Sequence, residues 1–491
     1  MSLHLPFDNT YARLPERFSA RVAPTRVKAP RLVRVNVPLA TQLGLDPEWF
    51  ASEEGVALLA GNHVAETAEP IATAYAGHQF GTFVSQLGDG RAILLGELID
   101  HAGQRRDIQL KGAGRTRFSR GGDGRAALGP VLREYVISEA MAALGIPTTH
   151  ALAAVVTGEV VRRDTVQPGA ILTRVASSHI RVGTFQFFAS RGDVDNLRVL
   201  ADYVIARHFP DAAHTERPYR ALLDGVIRAQ ARLIADWMLV GFIHGVMNTD
   251  NMAIGGETID YGPCAFMDAY DPNAVFSAID EYGRYAYGRQ PAIGQWNLAR
   301  LAECLPLLAD DTDAAVAAAE ESLDAYTSWF EQAYQGGLRR KLGMLTECED
   351  DGELGRDLLE AMRANGADFT LTFRHLSEAP CGEKDDGSVR RLFADPSAYD
   401  AWASRWRRRL EQEPTDAATR RSAMLAVNPS YIPRNHRVEG VIRAAVDSND
   451  FAPLHELVTV LSKPFEAQPA FAQYEEPPAA HERVLQTFCG T

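Results

Sequence analysis

The residues whose types and spacing are best suited to chemistry are His244-Gly-Val-Met-Asn-Thr-Asp-Asn251 and, nine residues on, Asp260-Tyr-Gly262. Asp250, Asn251 and Asp260 offer carboxylate and amide oxygens, hard donors that suit Mg²⁺ or Mn²⁺ and not zinc. Protein kinases use His-Arg-Asp-x-x-x-x-Asn and a later Asp-Phe-Gly. The first Asp takes the hydroxyl proton; the Asn and the second Asp hold the metal. Here His244 and Asn251 keep that spacing, but Val246 stands at the base position. An apolar side chain cannot accept a proton, so ordinary kinase catalysis is excluded there. Asp250 is the carboxylate close enough in sequence to serve the same pocket. Taken singly, Asp250, Asn251 and Asp260 read as turn or capping residues; as a set they read as a site.

Upstream lie the parts of an anion site. Lys111 ends an alternating run and is followed by Gly112-Ala-Gly114 and Gly121-Gly122-Asp123-Gly124. Between Arg105 and Arg133 eight basic residues face two acidic ones, a net +6 inside a chain of net −14. Guanidinium groups hold phosphate oxygens through paired N–H bonds, and glycines let backbone amides approach the same anion. The plainer alternative is a solvated basic loop. Gly88-Asp-Gly-Arg91 lacks the full G-x-G-x-x-G, and alone it reads as a hairpin turn.

The elements that must position these residues follow from patterning. Ile71–Phe83 leads into Val84–Ile99, which reads as two apolar runs joined by Gly88-Asp89-Gly90 and predicts a hairpin, and Asp107–Lys111 predicts a third strand. Pro130–Leu144 reads as a helix with Leu132, Val136, Ala140 and Leu144 on one face and Gly145 as its stop. Strands at 151–161 and 169–175 complete β-β-β-α-β-β over residues 71–175. A long amphipathic helix, Tyr219–Val240, then runs into His244, its apolar stripe interrupted by Gln230. Further helices are predicted at 320–335, 355–363 and 398–412. A five-stranded sheet with one helix and a strand-borne lysine, followed by a helical half, is the outline of an α+β, protein-kinase-like two-lobe fold. Its expected units are an N-terminal extension (1–70), a sheet lobe (71–175), a helical lobe with the catalytic and metal-binding loops (176–335) and a helical C-terminal extension (336–491).

Longer motifs carry a more specific resemblance. Phe7-Asp-Asn-Thr-Tyr-Ala-Arg-Leu-Pro-Glu-Arg-Phe18, Tyr75-Ala-Gly-His-Gln-Phe-Gly81, Gln86-Leu-Gly-Asp-Gly-Arg-Ala92, His244–Asn251, Asp260-Tyr-Gly-Pro263 and Asn428-Pro-Ser-Tyr-Ile-Pro-Arg-Asn435 together resemble the selenoprotein O family, also called YdiU, over nearly the whole chain. The resemblance implies a pseudokinase that binds ATP in reversed orientation and transfers AMP to Ser, Thr or Tyr hydroxyls of proteins; UTP would serve if base contacts are loose. It implies that Gly88, Gly90, Arg91, Lys111, Asp123 and Gly124 contact the nucleotide, with Arg174 and Arg181 on the terminal phosphates. Asp250 would be the proton acceptor, and Asn251 and Asp260 would bind Mg²⁺ or Mn²⁺. Lys111 would pair with a Glu of the following helix, by position Glu134, although periodicity alone does not separate it from Glu139. Family members can also join a C-terminal Cys to one after Asp-Tyr-Gly. Here Cys489 fits the first partner and Cys264 is the candidate for the second, while a later position where a partner is expected is Phe276. Ser85 stands where a Pro is usual.

Composition sets outer limits. At 491 residues the chain is long for one core, with about three units as a prior. The acidic balance argues against nucleic acid as the main partner. Neither a long apolar span nor a secretory leader is evident, so no membrane partner and a cytoplasmic location are expected. The five cysteines lack a CxxC pair. His78 and His244 have no companion at metal spacing and read as hydrogen-bonded core or loop residues. The Arg-rich stretch Trp402–Leu410 reads as a surface helix. Two other functions use the same parts: a small-molecule or protein kinase, and an inactive ATP-binding scaffold.

Overall fold

Strands β1 (Ser19–Arg21), β2 (Arg31–Val35), β3 (Ile71–Thr73), β4 (Gly77–Gln79), β5 (Thr82–Val84), β6 (Ala92–Ile99), β7 (Arg105–Lys111), β8 (Ala126–Ala127), β9 (His150–Arg162) and β10 (Val166–Ala176) occupy the first third of the chain. In the computed structural model, which describes residues 5–379 and 386–488, eight of them form one antiparallel sheet ordered β1-β3-β6-β7-β10-β9-β2, with β8 paired to β10. The chain is therefore α+β. Five strands were expected; the additional ones include the outer pair from residues 1–70. β1 lies beside β3 through Ser19↔Thr73, and β2 beside β9 through Leu32↔Val155.

The hairpin expected at Gly88-Asp89-Gly90 is a correction. β5 pairs with β4, not with β6, and β6 pairs with β3 and β7. The chain reverses instead at Phe80-Gly81, both at positive φ (51° and 85°), as a two-residue hairpin turn requires. Residues 87–89 then return along the chain next to β3, with Leu87 N–H donating to Tyr75 O (2.9 Å) and Asp89 N–H to Thr73 O (3.0 Å). Gly88 and Gly90 are therefore not the tip of a turn; Gly88 lies within the segment hydrogen-bonded beside β3 and Gly90 follows it.

Both sheet faces are covered, which is why the central strands are continuously apolar rather than alternating. Helices α1 (Val37–Gln42), α2 (Pro47–Phe50) and α3 (Glu53–Leu59) put Leu39, Phe50, Leu58 and Leu59 against Ile93, Leu110 and Val155 on one face. On the other face α4 (Leu128–Ala143) packs Leu132 and Val136 against Ala154 and Leu172.

The helical half begins with α5 (Val182–Ala189), α6 (Val194–His208) and α7 (Pro218–Leu239), then the short pair β11 (Phe242–Ile243) and β12 (Ala265–Phe266). It continues with α8 (Gln290–Ala302), α9 (Thr312–Lys341), α10 (Asp351–Asn365), α11 (Phe369–Leu376), α12 (Gly387–Arg390), α13 (Pro396–Leu410) and α14 (Ala417–Leu425). The stripe Leu223, Val226, Ile227, Ile234 and Trp237 of α7 is buried as predicted. Gln230, its interruption, is buried too, and its amide donates to Ala253 O (2.6 Å), bracing the segment just after Asn251.

α13 is a surface helix on one face only: Arg405 and Arg408 are exposed, while the opposite face is buried. Trp402 and Trp406 stack at 5.4 Å inside the core, and Arg409 is buried between Asp351 and Glu413 (2.6 and 2.8 Å). The last helices, α15 (Asn435–Ser448) and α16 (Ala452–Leu461), cross back to the sheet half and bury Val438, Val441, Leu454 and Leu457 against α4. No helix among the described residues is long and apolar enough to cross a membrane.

Candidate active site

A cavity of about 720 Å³ opens between the sheet and the helical half, lined by Gly88, Gly90, Arg91, Lys111, Asp123, Gly124, Arg174, Arg181, Val246, Asp250, Asn251 and Asp260 among others. Residues more than 150 positions apart in sequence thus meet in one place. Eight cationic side chains line it against four carboxylates, so the cavity is electropositive inside an acidic chain. The basic segment Arg105–Arg133 supplies only part of this charge. Arg105 and Arg106 are spent on Asp8 (2.7 Å) and Asp100 (3.0 Å), Arg115 on the carbonyls of Gly121 and Gly122, and Arg133 on Glu439. Lys111, Arg120 and Arg125 reach the cavity, and Arg91, Arg162, Arg163, Arg174 and Arg181 complete it.

A relay of alternating charges runs along the back wall. Lys111 sits at the end of β7, flanked by Ala92 of β6 and Leu172 of β10, and its Nζ donates to Glu134 Oε2. The other Glu134 oxygen accepts from Arg174 Nε, and Arg174 Nη2 continues to Asp260 Oδ1 (2.6 Å). Arg181 Nη1 holds Asp260 Oδ2 (3.0 Å) and donates to the Asp250 carbonyl (2.6 Å). Glu139 faces elsewhere and accepts from Asn36 (2.5 Å) and Ala151 N–H (2.8 Å), so only Glu134 meets Lys111. Arg174 and Arg181 are each 2% exposed, which rules out the surface salt bridges that sequence alone would suggest.

Burial alone would raise the carboxyl pKa of Glu134 and Asp260. The charges of Arg174 and Lys111 outweigh it at Glu134, and those of Arg174, Arg181 and Lys111 outweigh it at Asp260, so both stay ionised. Asp260 also takes a left-handed backbone (φ 64°), uncommon for a residue with a Cβ.

Asp250 is held differently. It lies on a short 3₁₀ turn, Thr249–Asn251, and is 7% exposed. Among the described residues its Oδ2 accepts only a long bond from Gln79 (3.3 Å), and its Oδ1 has no hydrogen-bond partner. Burial pushes its pKa up to about 6, with Arg181 opposing. Gly77 makes room for it, since a Cβ there would stand 2.6 Å from Asp250 Oδ1. Asn251 spends its amide N–H on Val246 O (3.0 Å), which leaves its side-chain carbonyl for another partner. His244 is buried with Nε2 against Ile259 O (2.9 Å), a core contact, and His78 meets the Gln186 amide (2.8 Å).

The glycine loops are tied to one another. Asp89, which the sequence reading passed over, accepts from Thr73 N–H and Oγ1 (3.0 and 2.6 Å), while Thr116 Oγ1 donates to Asp89 O (2.6 Å). Gly124 (φ 68°) passes so close to Gly114 O that a Cβ would lie 2.0 Å from it. Asp123 stands on the outer rim with its carboxylate gripped by Arg163 (2.9 and 3.0 Å). Arg163 had no local signal, because it enters the cavity only through the β9–β10 hairpin. Tyr75, whose ring lies 4.5 Å from the Arg181 guanidinium, and Gln79 stood inside the Tyr75–Gly81 motif that could have flagged them.

Cys264 is buried. Cys489 lies outside the described residues. Two positions before it, Thr487 donates to Pro263 O (2.6 Å), next to Cys264. Among the described residues no group of three His, Cys, Asp or Glu is arranged to hold a metal.

The sequence matches the profile of the family described as "Protein adenylyltransferase SelO" over residues 1–462. It is 65% identical, over 100% of both chains, to "Protein nucleotidyltransferase YdiU" of Rhodopseudomonas palustris (strain BisB5) and to the protein of that name from Bradyrhizobium sp. (strain BTAi1 / ATCC BAA-1182). Identity to its namesake in Methylorubrum populi is 64%, again over 100% of both chains.

Proposed function

The chain belongs to the SelO family of protein adenylyltransferases and is a protein nucleotidyltransferase; from that premise we propose that it moves AMP from ATP to Ser, Thr or Tyr hydroxyls of other proteins in a protein-kinase-like two-lobe fold. In this reading residues 71–175, with the outer strands from 1–70, are the first lobe and 176–335 the second. Residues 336–491 form a helical extension that braces both. The triphosphate lies along Lys111, Arg174 and Arg181, with Arg91 and the loops of Gly88, Gly90 and Gly124 against the nucleotide and Asp123 at the rim.

The observation that carries the proposal is the exchange of roles at the catalytic turn. Val246, apolar and buried, faces the cavity where a kinase has its base, and the one carboxylate there with a raised pKa is Asp250. A carboxylate poised near 6 is ionised at neutral pH yet basic enough to take a hydroxyl proton. The acceptor oxygen, deprotonated by Asp250, attacks the α-phosphorus; the bond to the bridging oxygen breaks and pyrophosphate leaves. Arg174, Arg181 and Lys111 hold the charge that grows on it. Asn251 and Asp260 would hold Mg²⁺ or Mn²⁺: both present hard oxygens, Asp260 is ionised, and Asn251 has its carbonyl to spare. Bound, the ion supplies charge neutralisation at the phosphates. The two guanidiniums that grip Asp260 are those assigned to the terminal phosphates, so a bound triphosphate would compete with Asp260 for them. The same reading includes a redox link between Cys264 and Cys489, for which an equal thiol count in oxidised and reduced protein would be the negative result.

Labelled ATP tests the reaction. With Mg²⁺ and a protein acceptor, label at the α-phosphate should become protein-bound and label at the γ-phosphate should not. Transfer of the γ-label would make the protein a kinase, and transfer of neither would leave an ATP-binding scaffold. UTP labelled at its α-phosphate tests the base in the same format.

A further inference from the structure

A second hollow, of about 500 Å³, opens beside the catalytic cavity, and Phe80 and Ile279 line both. Its rim concentrates exposed apolar side chains, with Tyr282 89% and Ile279 56% exposed. These side chains leave apolar area at the mouth of the cleft available to a bound partner.

The hollow is also preformed. Ala278 N–H donates to Thr487 O (3.0 Å) and Thr487 N–H to Phe276 O (2.7 Å), so the strip leading to Ile279 is pinned as a short parallel pairing. On the opposite wall, Phe80 N–H donates to Asn248 Oδ1 (3.0 Å), the atom that also takes the Tyr285 hydroxyl (2.7 Å).

Its charges are unevenly satisfied. Asp280 is spent on the backbone N–H groups of Arg284 and Tyr285 (both 2.8 Å). Arg284 lies over the rings of Trp296 (4.8 Å) and Tyr285 (5.7 Å), has no carboxylate within ion-pair distance among the described residues, and keeps its Nε buried without an acceptor. Among the described residues Arg289 donates only to the carbonyls of Gly283 and Tyr282 (3.1 and 3.4 Å). Two guanidiniums therefore face the single uncommitted carboxylate of the lining, Glu281.

We propose that this hollow receives the acceptor protein, as an extended segment whose hydroxyl residue reaches Asp250 and whose flanking residues include a carboxylate, met by Arg284, and a bulky apolar side chain, met by Ile279 and Tyr282. The inference rests on the adenylyl-transfer reading of the neighbouring cavity, and continuity through Phe80 and Ile279 joins the two.

The test uses eleven-residue alanine-based peptides with a central Thr and one Leu, in two series carrying either Glu or Lys at each flanking position. Two readouts are taken on the full chain: transfer of α-label from ATP, and anisotropy of fluorescein-labelled peptide without nucleotide. Wild type should prefer the best Glu peptide over its Lys counterpart by about tenfold or more. Arg284→Glu should abolish or invert that preference, and Tyr282→Ala, at a site too exposed to affect folding, should weaken binding of both series. The KM for ATP should stay unchanged in each variant. Equal use of Glu and Lys peptides, absence of binding to either, or a preference that survives Arg284→Glu would overturn the proposal. Arg284-dependent binding with no movement of label would keep the docking surface and refute adenylyl transfer. Label transfer indifferent to Arg284 would do the reverse.

Discussion

Asp250→Asn separates the chemistry from the fold, because the same burial that tunes the carboxylate makes it costly to keep. Its pKa, about 6 against an ordinary 3.8, reflects a preference of the folded state for the protonated form. A shift of roughly two units corresponds to about 3 kcal/mol. For a pKa raised on folding, the stabilisation is complete below the unfolded value near 3.8 and is lost as pH rises through about 6. Wild type therefore carries a destabilising Asp250 at pH 8 and not at pH 4. Asp250→Asn removes the ionisation: its stability relative to wild type should rise by up to about 3 kcal/mol between pH 4 and pH 8, measured by urea denaturation. Over the same range activity should move the other way. Wild-type kcat/KM should climb about tenfold per pH unit below 6 and level off above it, and the Asn variant should lose about 10²- to 10⁴-fold at pH 7.5. A stability difference independent of pH, or a variant with near wild-type transfer, would refute the assignment of Asp250 as the buried base.

Three further outcomes test the surroundings. Arg174→Met strips a partner from both Glu134 and Asp260, and leaving buried carboxylates short of a countercharge should cost about 3–5 kcal/mol in urea denaturation, far more than an exposed pair would. Gly124→Ala places a methyl 2.0 Å from Gly114 O on a backbone of φ 68°, so ATP affinity measured by calorimetry should fall together with stability by at least about 1 kcal/mol. Removal of divalent ions with EDTA should stop transfer, and Mg²⁺ or Mn²⁺ should restore it to wild type but not to Asp260→Ala; undiminished activity in metal-free buffer would contradict the metal ligands.

Much of the site was readable because its residues sit at the ends of strongly patterned elements. Lys111 closes an alternating strand, and the stripe of Tyr219–Val240 delivers the chain to His244 in the right place. The Gly88–Gly90 loop was misread because turn chemistry alone does not say which strands flank it. The true reversal, at Phe80-Gly81, puts a bulky residue at positive φ, against its local preference. Strands β1 and β2 were missed for a different reason: they span only three and five residues, and their pairing to β3 and β9 is decided by contacts 50 to 125 positions away. The choice between Glu134 and Glu139 depends on which side of one helix faces the sheet's lysine, which the pattern of apolar residues around both did not decide. Arg407 to Arg409 looked like solvent-facing charge, yet Asp351 and Glu413 draw Arg409 into the core.

Helix α4, which carries Glu134, is overlaid by α15 and α16 and tied to them by the ion pair from Arg133 to Glu439. Enzymes that regulate themselves by swinging the corresponding glutamate away from its lysine need that helix free to pivot. Here α15 and α16 cover that helix, so moving Glu134 away from Lys111 would require breaking the Arg133–Glu439 pair and uncovering Val438, Val441, Leu454 and Leu457.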